Sequence, residues 1–218
     1  MAGSATVNLM RSPALNILTS SKTRDAFDLS QEPPQVRERY GRNLFGSCVL
    51  AARRLVEAGV KFVGVTTESQ CNGGIGGGQW DTHSHNFRLL RNFNLPTLDR
   101  NYSALIHDLY DRGLLDSTLV VLMGEMGRTP KVNQGAGRDH WTQCGFILLS
   151  GGGVKRGMVY GASDSQAAWP IEHPVSSADH VATIYQLLGL DPHMTIPDHS
   201  RRPVPIAWEG KPIWDVIA

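Results

Sequence analysis

Apolar positions along the chain keep two rhythms, one of three to four residues and one of unbroken short runs. The stretch EPPQVRERYGRNLFGSCVLAARRLVEAGV opens on prolines that suit a helix start. In it Leu44, Val49, Ala52, Leu55 and Val56 fall roughly on one face with arginines opposite, which predicts an amphipathic helix that Gly59 caps. Leu98, Tyr102, Leu105, Ile106 and Leu109 repeat at three and four, so a second helix is expected there, closed by Gly113. VSSADHVATIYQLLGLD predicts a third, with Ser176 or Ser177 as cap and Gly189 as stop. Val60 to Thr67, Leu119 to Met123 and Phe146 to Leu149 are short β-rich runs without a helical period. They are expected to be buried strands.

The resulting order is helix, strand, helix, strand, strand, helix. It predicts an α/β fold, a largely parallel sheet flanked by helices. Residues 1–33 are rich in Ser and Thr and are expected to form an N-terminal arm ahead of one α/β domain over 34–218. The tail from Pro192 to Ala218 is expected to be ordered by packing, because exposing Trp208 and Trp214 would be costly.

Composition narrows the class without choosing a function. Hydrophobic content of 41% and charged content of 19% are ordinary for a soluble globular protein. A formal net charge of +1 offers no bulk field to recruit nucleic acid or an acidic membrane. Cys48, Cys71 and Cys144 are widely spaced and support neither a disulfide framework nor a thiolate zinc site. No apolar run reaches the length of a membrane span, and the N-terminus lacks the pattern of a secretory signal.

Candidate chemistry lies just past the expected strand ends, where open parallel sheets bind their ligands. The glycine-rich loop from Glu68 to Phe87 ends in WDTHSHNF, with Asp81, His83 and His85 at alternate positions. In an extended segment those three face one side; in a helical one Asp81 and His85 share a face and His83 drops out. Carboxylate with imidazole suits zinc, iron or manganese. GEMGRTP places Glu125 and Arg128 after the second run, and GAGRDHW adds Arg138, Asp139 and His140 on the same connection. Glu125 is a candidate ligand or base, or the partner of Arg128. Arg128 and Arg138 have the fork that recognises phosphate, sulfate or carboxylate. Of Asp139 and His140, one can ligate while the other orients. His107 and His180 lie on expected helices and are read as structural. GGIGGG lacks the Lys-Ser/Thr of a P-loop, and SGGGVKRG is a turn after a strand.

VEAGVKFVGV, WDTH, DRGLLDSTLVVLMGEMGRTP, GRDHW and ADHVATIYQLLGLD together resemble a bacterial family called domain of unknown function 1501. That family is related to sulfatases within the alkaline phosphatase superfamily. The resemblance runs from about Asp28 onward and implies an alkaline-phosphatase/sulfatase-like fold with its N-terminal part missing from this chain. It places Glu125 where the superfamily has a ligating aspartate and Met126 where it has a histidine; a thioether is a poor zinc ligand. Asp81 and His85 fit the superfamily's Asp-x3-His pair, whereas the family's Trp-Asp-Thr-His favours His83. His140 falls at a later ligand position. The resemblance also implies an exported or periplasmic setting.

Two functions follow as expectations. One is a metal-dependent hydrolase of sulfate or phosphate esters, incomplete because no nucleophile follows an early strand. In it Asp81, His83, His85, Glu125, Asp139 and His140 are the candidate metal ligands, for zinc, manganese or calcium. Glu125 and Arg128 are the candidate catalytic residues, with Arg128 and Arg138 binding an anionic small-molecule or glycan ester. The other is a non-catalytic sulfatase-like binding or structural module. A metal-independent acid-base enzyme using His140 and Glu125 has no spacing that singles it out.

Overall fold

The computed structural model describes residues 20–67 and 80–218. Two compact units divide the chain, Met1–Arg112 and Gly113–Ala218. In the first, the described elements are helices: α1 (Ser21–Phe27), a 3-10 turn (Leu29–Gln31), α2 (Pro34–Tyr40), α3 (Leu44–Glu57), α4 (Asn86–Leu89) and α5 (Leu95–Asp111). A π-helical turn over Leu90–Asn94 joins α4 to α5.

The helix expected to run from the prolines to Gly59 is broken into α2 and α3. Gly41 takes φ +83°, a left-handed conformation that ends α2. Asn43 then caps α3, its side-chain oxygen accepting from the Gly46 N–H at 2.8 Å. A Cβ on Gly46 would stand 2.2 Å from the Tyr40 carbonyl oxygen, so only glycine lets the two helices meet this closely. The expected end of the helix holds, with Gly59 at φ +94° and its N–H bonded to Val56. Tyr40, Val49, Leu50 and Ala104 form the core, with Leu29, Val36, Phe45, Val65 and Leu105 packed against it.

The buried face of α3 is Gly46, Val49, Leu50 and Arg53; of the expected stripe Val49 is buried, Ala52, Leu55 and Val56 are half-buried, and Leu44 is exposed. An arginine therefore lies in the core rather than opposite it. Arg53 meets Glu32 at 2.8 Å, Glu57 at 2.6 Å and Asp108 at 2.9 Å. The Glu57 contact is an aligned hydrogen bond and the others are close ion pairs. Tyr40 donates its hydroxyl to Asp108 at 2.9 Å, and Arg54 and Arg112 complete the cluster.

In the second unit the strands are β1 (Val120–Met123), β2 (Gly127–Arg128), β3 (His140–Trp141), β4 (Ile147–Ser150), β5 (Ala162–Ser163), β6 (Pro170–Glu172), β7 (Thr195–Pro197) and β8 (Pro203–Pro205). The helix α6 spans Ser177–Leu187.

The largely parallel sheet expected of an alkaline-phosphatase/sulfatase-like fold is not found. Among the described residues every ladder has two strands and is antiparallel: β1–β4, β2–β3, β5–β6 and β7–β8. In β1–β4, Val120 faces Ser150 and Met123 faces Ile147. Parallel neighbours need a crossover of a dozen or more residues, usually a helix. Between Met123 and Ile147 the chain forms only the β2–β3 ribbon, so β4 returns antiparallel. Val60–Thr67, expected as a buried strand, joins no ladder among the described residues. Its Phe62 is 83% exposed, and Val65 packs on the helical core. The fold is mixed α and β with small antiparallel sheets.

Ser176 caps α6 in a reciprocal box with Asp179. Asp179 also accepts from the Lys211 N–H, and Thr183 Oγ1 accepts from Ile213, so the tail is ordered on α6. Hydrogen bonds from tail N–H groups to α6 side chains achieve this without the indoles, since Trp208 and Trp214 are both exposed. His180 is buried as expected of a structural residue, and burial lowers its pKa.

Candidate functional site

In the first unit the polar loop emerges from Trp80 to His85. Trp80 donates its indole N–H to Thr67 Oγ1 at 3.2 Å, and its carbonyl accepts from Thr82 N at 3.0 Å. Thr82 is buried and donates to Asn86 Oδ1 at 2.5 Å, which pins the loop to the start of α4. The residues on either side of it point outward. Asp81 Oδ1 and His83 Nε2 lie 3.1 Å apart, and both side chains are more than two-fifths exposed. Alternation thus holds for three residues. It then ends, because His85 turns left-handed (φ 53°) as the residue before α4. Residues 68–79 of the glycine-rich loop lie outside the described residues.

A 3.1 Å separation is an ion pair if His83 is protonated. It also matches two donors of one metal. At bonds of about 2.0–2.1 Å and a tetrahedral angle, zinc ligands stand about 3.3 Å apart. A carboxylate oxygen and an imidazole nitrogen so placed fit zinc or manganese better than calcium, which favours oxygen ligands throughout.

In the second unit the β2–β3 ribbon sets Arg128 opposite His140 and Gly127 opposite Trp141. Paired residues share a face, so the guanidinium and the imidazole leave on the same side. Trp141 leaves on the other, donating its indole N–H to the Ala168 carbonyl at 2.7 Å and meeting Trp169 edge to face at 5.9 Å. The ribbon is closed by Thr129 N to the Asp139 carbonyl and Asp139 N to Thr129 Oγ1.

Asn133 organises the loop between. Its side-chain oxygen accepts from Gly135 and Gly137 N–H, each at 2.9 Å, and its Nδ2 donates to the Asp139 carboxylate at 3.2 Å. Arg138 Nη1 donates to the carbonyls of Thr129 and Pro130 at 2.6 and 2.8 Å, bracing the same loop. Glu125 is exposed in the bend after β1. Of the candidate residues, the structure brings Asp81 to His83 in the first unit and Arg128 to His140 in the second. It ties Asp139 to Asn133 and Arg138 to backbone carbonyls.

The positioning residues Trp80, Thr82, Thr129 and Asn133 were not singled out in the sequence. Asn133 had a readable signal, since Asn followed by glycines forms side-chain turns. Thr82 had none, because its burial depends on Asn86 four residues on.

Together these features define a mixed α and β protein whose loops present carboxylate, imidazole and guanidinium groups on short, hydrogen-bonded supports. The family model described as Protein of unknown function (DUF1501) matches residues 4–217, and the chain belongs to that family. No curated protein matches it. No solved structure matches it either.

Proposed function

We propose that the chain is a metal-dependent hydrolase-like domain acting on sulfate or phosphate esters, of the sulfatase and alkaline phosphatase type in its chemistry. The observation that carries this reading is the Asp81–His83 pair, held at chelating distance by the buried Thr82 between its members. The resemblance of WDTH, GEMGRTP and GRDHW to motifs of that superfamily supports it; a shared parallel sheet is no part of it.

Asp81 and His83 are the residues that would hold the ion. A divalent metal at such a site supplies Lewis acidity and lowers the pKa of bound water. Arg128 has the charge and fork to receive an ester's oxyanion. His140 lies on the same face as Arg128 within the second unit, and its ring nitrogen is suited to proton transfer. Asp139, oriented by Asn133, sets the backbone from which His140 projects. His85 and Glu125 remain further candidate donors.

A second reading, a non-catalytic binding or structural module, has one observation in its favour. Arg138 gives hydrogen bonds to loop carbonyls, the behaviour of a brace.

The test is metal analysis of the purified chain after zinc or manganese loading, then turnover of aryl sulfate and aryl phosphate. The proposal expects bound metal and hydrolysis, both lost in Asp81→Ala and His83→Ala with the circular dichroism unchanged. Metal without turnover supports the module reading. Failure to retain metal removes the hydrolase reading.

A further inference from the structure

The turn that joins α2 to α3 encloses a cavity of about 240 Å³. Leu29, Tyr40 and Leu50 supply its apolar walls, and Arg37, Arg42 and Ser47 its polar ones. Tyr40 contributes only its ring, because its hydroxyl is given to Asp108.

Arg37 stands apart from the other arginines of these helices. Arg39, Arg53, Arg54 and Arg100 each meet a carboxylate. Arg37 has no ion pair among the described residues, and its Nε is shut off from solvent without an acceptor. A buried N–H of a charged group left without a partner is destabilising. That Nε leaves no room for a ligand atom, so a ligand in the cavity would meet Arg37, one of its lining residues, through the outer part of the guanidinium. The cavity's other cation, Arg42, spends its Nε on Glu38. The first turn of α3, at Gly46 and Ser47, places the positive end of a 14-residue helix at the same wall.

These features specify the ligand's chemistry. One uncompensated guanidinium balances one negative charge. Its planar fork matches a carboxylate. Apolar walls next to it favour a ligand with a short hydrocarbon part over a fully hydrated dianion. The volume lies below the roughly 300–1,000 Å³ of sites for drug-sized ligands, so the ligand is small.

We propose that this cavity binds a small monocarboxylate with a short apolar tail, the carboxylate on Arg37 and the tail against Leu29, Tyr40 and Leu50. The site is independent of the ester-hydrolase reading and uses none of its residues.

The experiment follows the Nε–H resonances of the full chain, labelled with 15N at arginine. The Arg37 signal is assigned by its loss in Arg37→Gln. Titration with butyrate should shift it saturably in the millimolar range. The neutral isostere butyramide should leave it in place. In Arg37→Gln, 15N-labelled throughout, the Gly46 amide should lose its saturable response while far-ultraviolet circular dichroism stays unchanged; the Arg37 side chain has no ion-pair partner to lose among the described residues. Arg42→Gln should weaken binding severalfold. The proposal is overturned if butyrate produces no saturable shift, if butyramide or chloride produces the same one, or if Arg37→Gln binds as the parent does. Saturation by inorganic phosphate but not butyrate also overturns it, because the apolar walls would then play no part.

Discussion

Arg53 has no exposed side-chain surface, yet three carboxylates surround it and a second shell of Arg54, Arg112 and Tyr40 surrounds them. Breaking a buried pair by removing one partner leaves an uncompensated charge, at a cost of about 3–5 kcal/mol. Arg53→Ala should therefore lower the unfolding free energy by about that much. The cluster also sets the response to acid. Burial pushes Glu32 and Asp108 up, but hydrogen bonds and charge from neighbouring arginines outweigh it, and both end below their ordinary values of 4.5 and 3.8. A carboxyl depressed in the folded state binds protons more readily when unfolded, so stability rises with pH across its window. The contribution is complete above the ordinary values and is lost as pH falls through the lower, folded ones. Urea unfolding from pH 7 to pH 3 should show this decline in the parent. In Arg53→Ala the two carboxyls move back up and the acid slope should flatten or reverse. An unchanged slope would mean that Arg53 does not hold them down. None of this was readable from periodicity, which ranks arginine as solvent-facing. The burial of Arg53 depends on Glu32 and Asp108, which are far from it in sequence.

Elements bounded by local chemistry were the legible ones. Ser176 and Asp179 are three residues apart and form their capping box within one turn; Gly59 and Gly189 end helices through their own positive φ. The hinge at Gly41–Asn43 is equally local, but an apolar rhythm continues across it and masked the break between α2 and α3. Strand pairing depends on distant partners, and there the expectation failed. Buried strands were expected at Leu119–Met123 and Phe146–Leu149; strands form at Val120–Met123 and Ile147–Ser150, but Phe146, Ile147 and Leu148 are exposed, and the antiparallel pairing follows from the connection between them. The closeness of Asp81 and His83 was legible for a related reason. Alternation set Asp81 and His83 to the same side, whereas the local turn at His85 ended the pattern. Ser176→Ala offers a direct test of the local terms. It removes an oxygen that accepts from Asp179 N–H at 3.1 Å and leaves the Asp179 bond to Lys211 in place. Loss of an N-cap costs about 0.5–2 kcal/mol. The melting temperature should fall by a few degrees while the helical circular dichroism signal at low temperature is kept. A fall as large as that of Arg53→Ala would show that the box holds the tail as well as the helix.

At the scale of the whole molecule, charge and exposed apolar surface act together. A net charge of +1 and an isoelectric point near 7.8 leave little mutual repulsion between copies at neutral pH. The second unit meanwhile exposes Phe146, Ile147, Leu148 and Met123 along the β1–β4 ladder, with Phe146 at 75%. A two-stranded ladder of apolar residues, with no further strand paired to it among the described residues, is a template for pairing with other chains. Association should therefore be strongest near pH 7.8 and weaken as the chain gains positive charge in mildly acidic buffer. Light scattering against pH at fixed concentration measures this directly. Phe146→Lys places a charge at the ladder's exposed end and should suppress the maximum. Because Phe146 buries little, the substitution should leave the melting temperature nearly unchanged. Lys61→Gln, in the segment after α3 in the first unit, makes a charge change of equal size and opposite sign outside the ladder; it should move the maximum toward lower pH without removing it. If Phe146→Lys merely shifts the maximum along the pH axis, as an added charge anywhere would, then net charge alone governs association. The exposed ladder would in that case have no part in it.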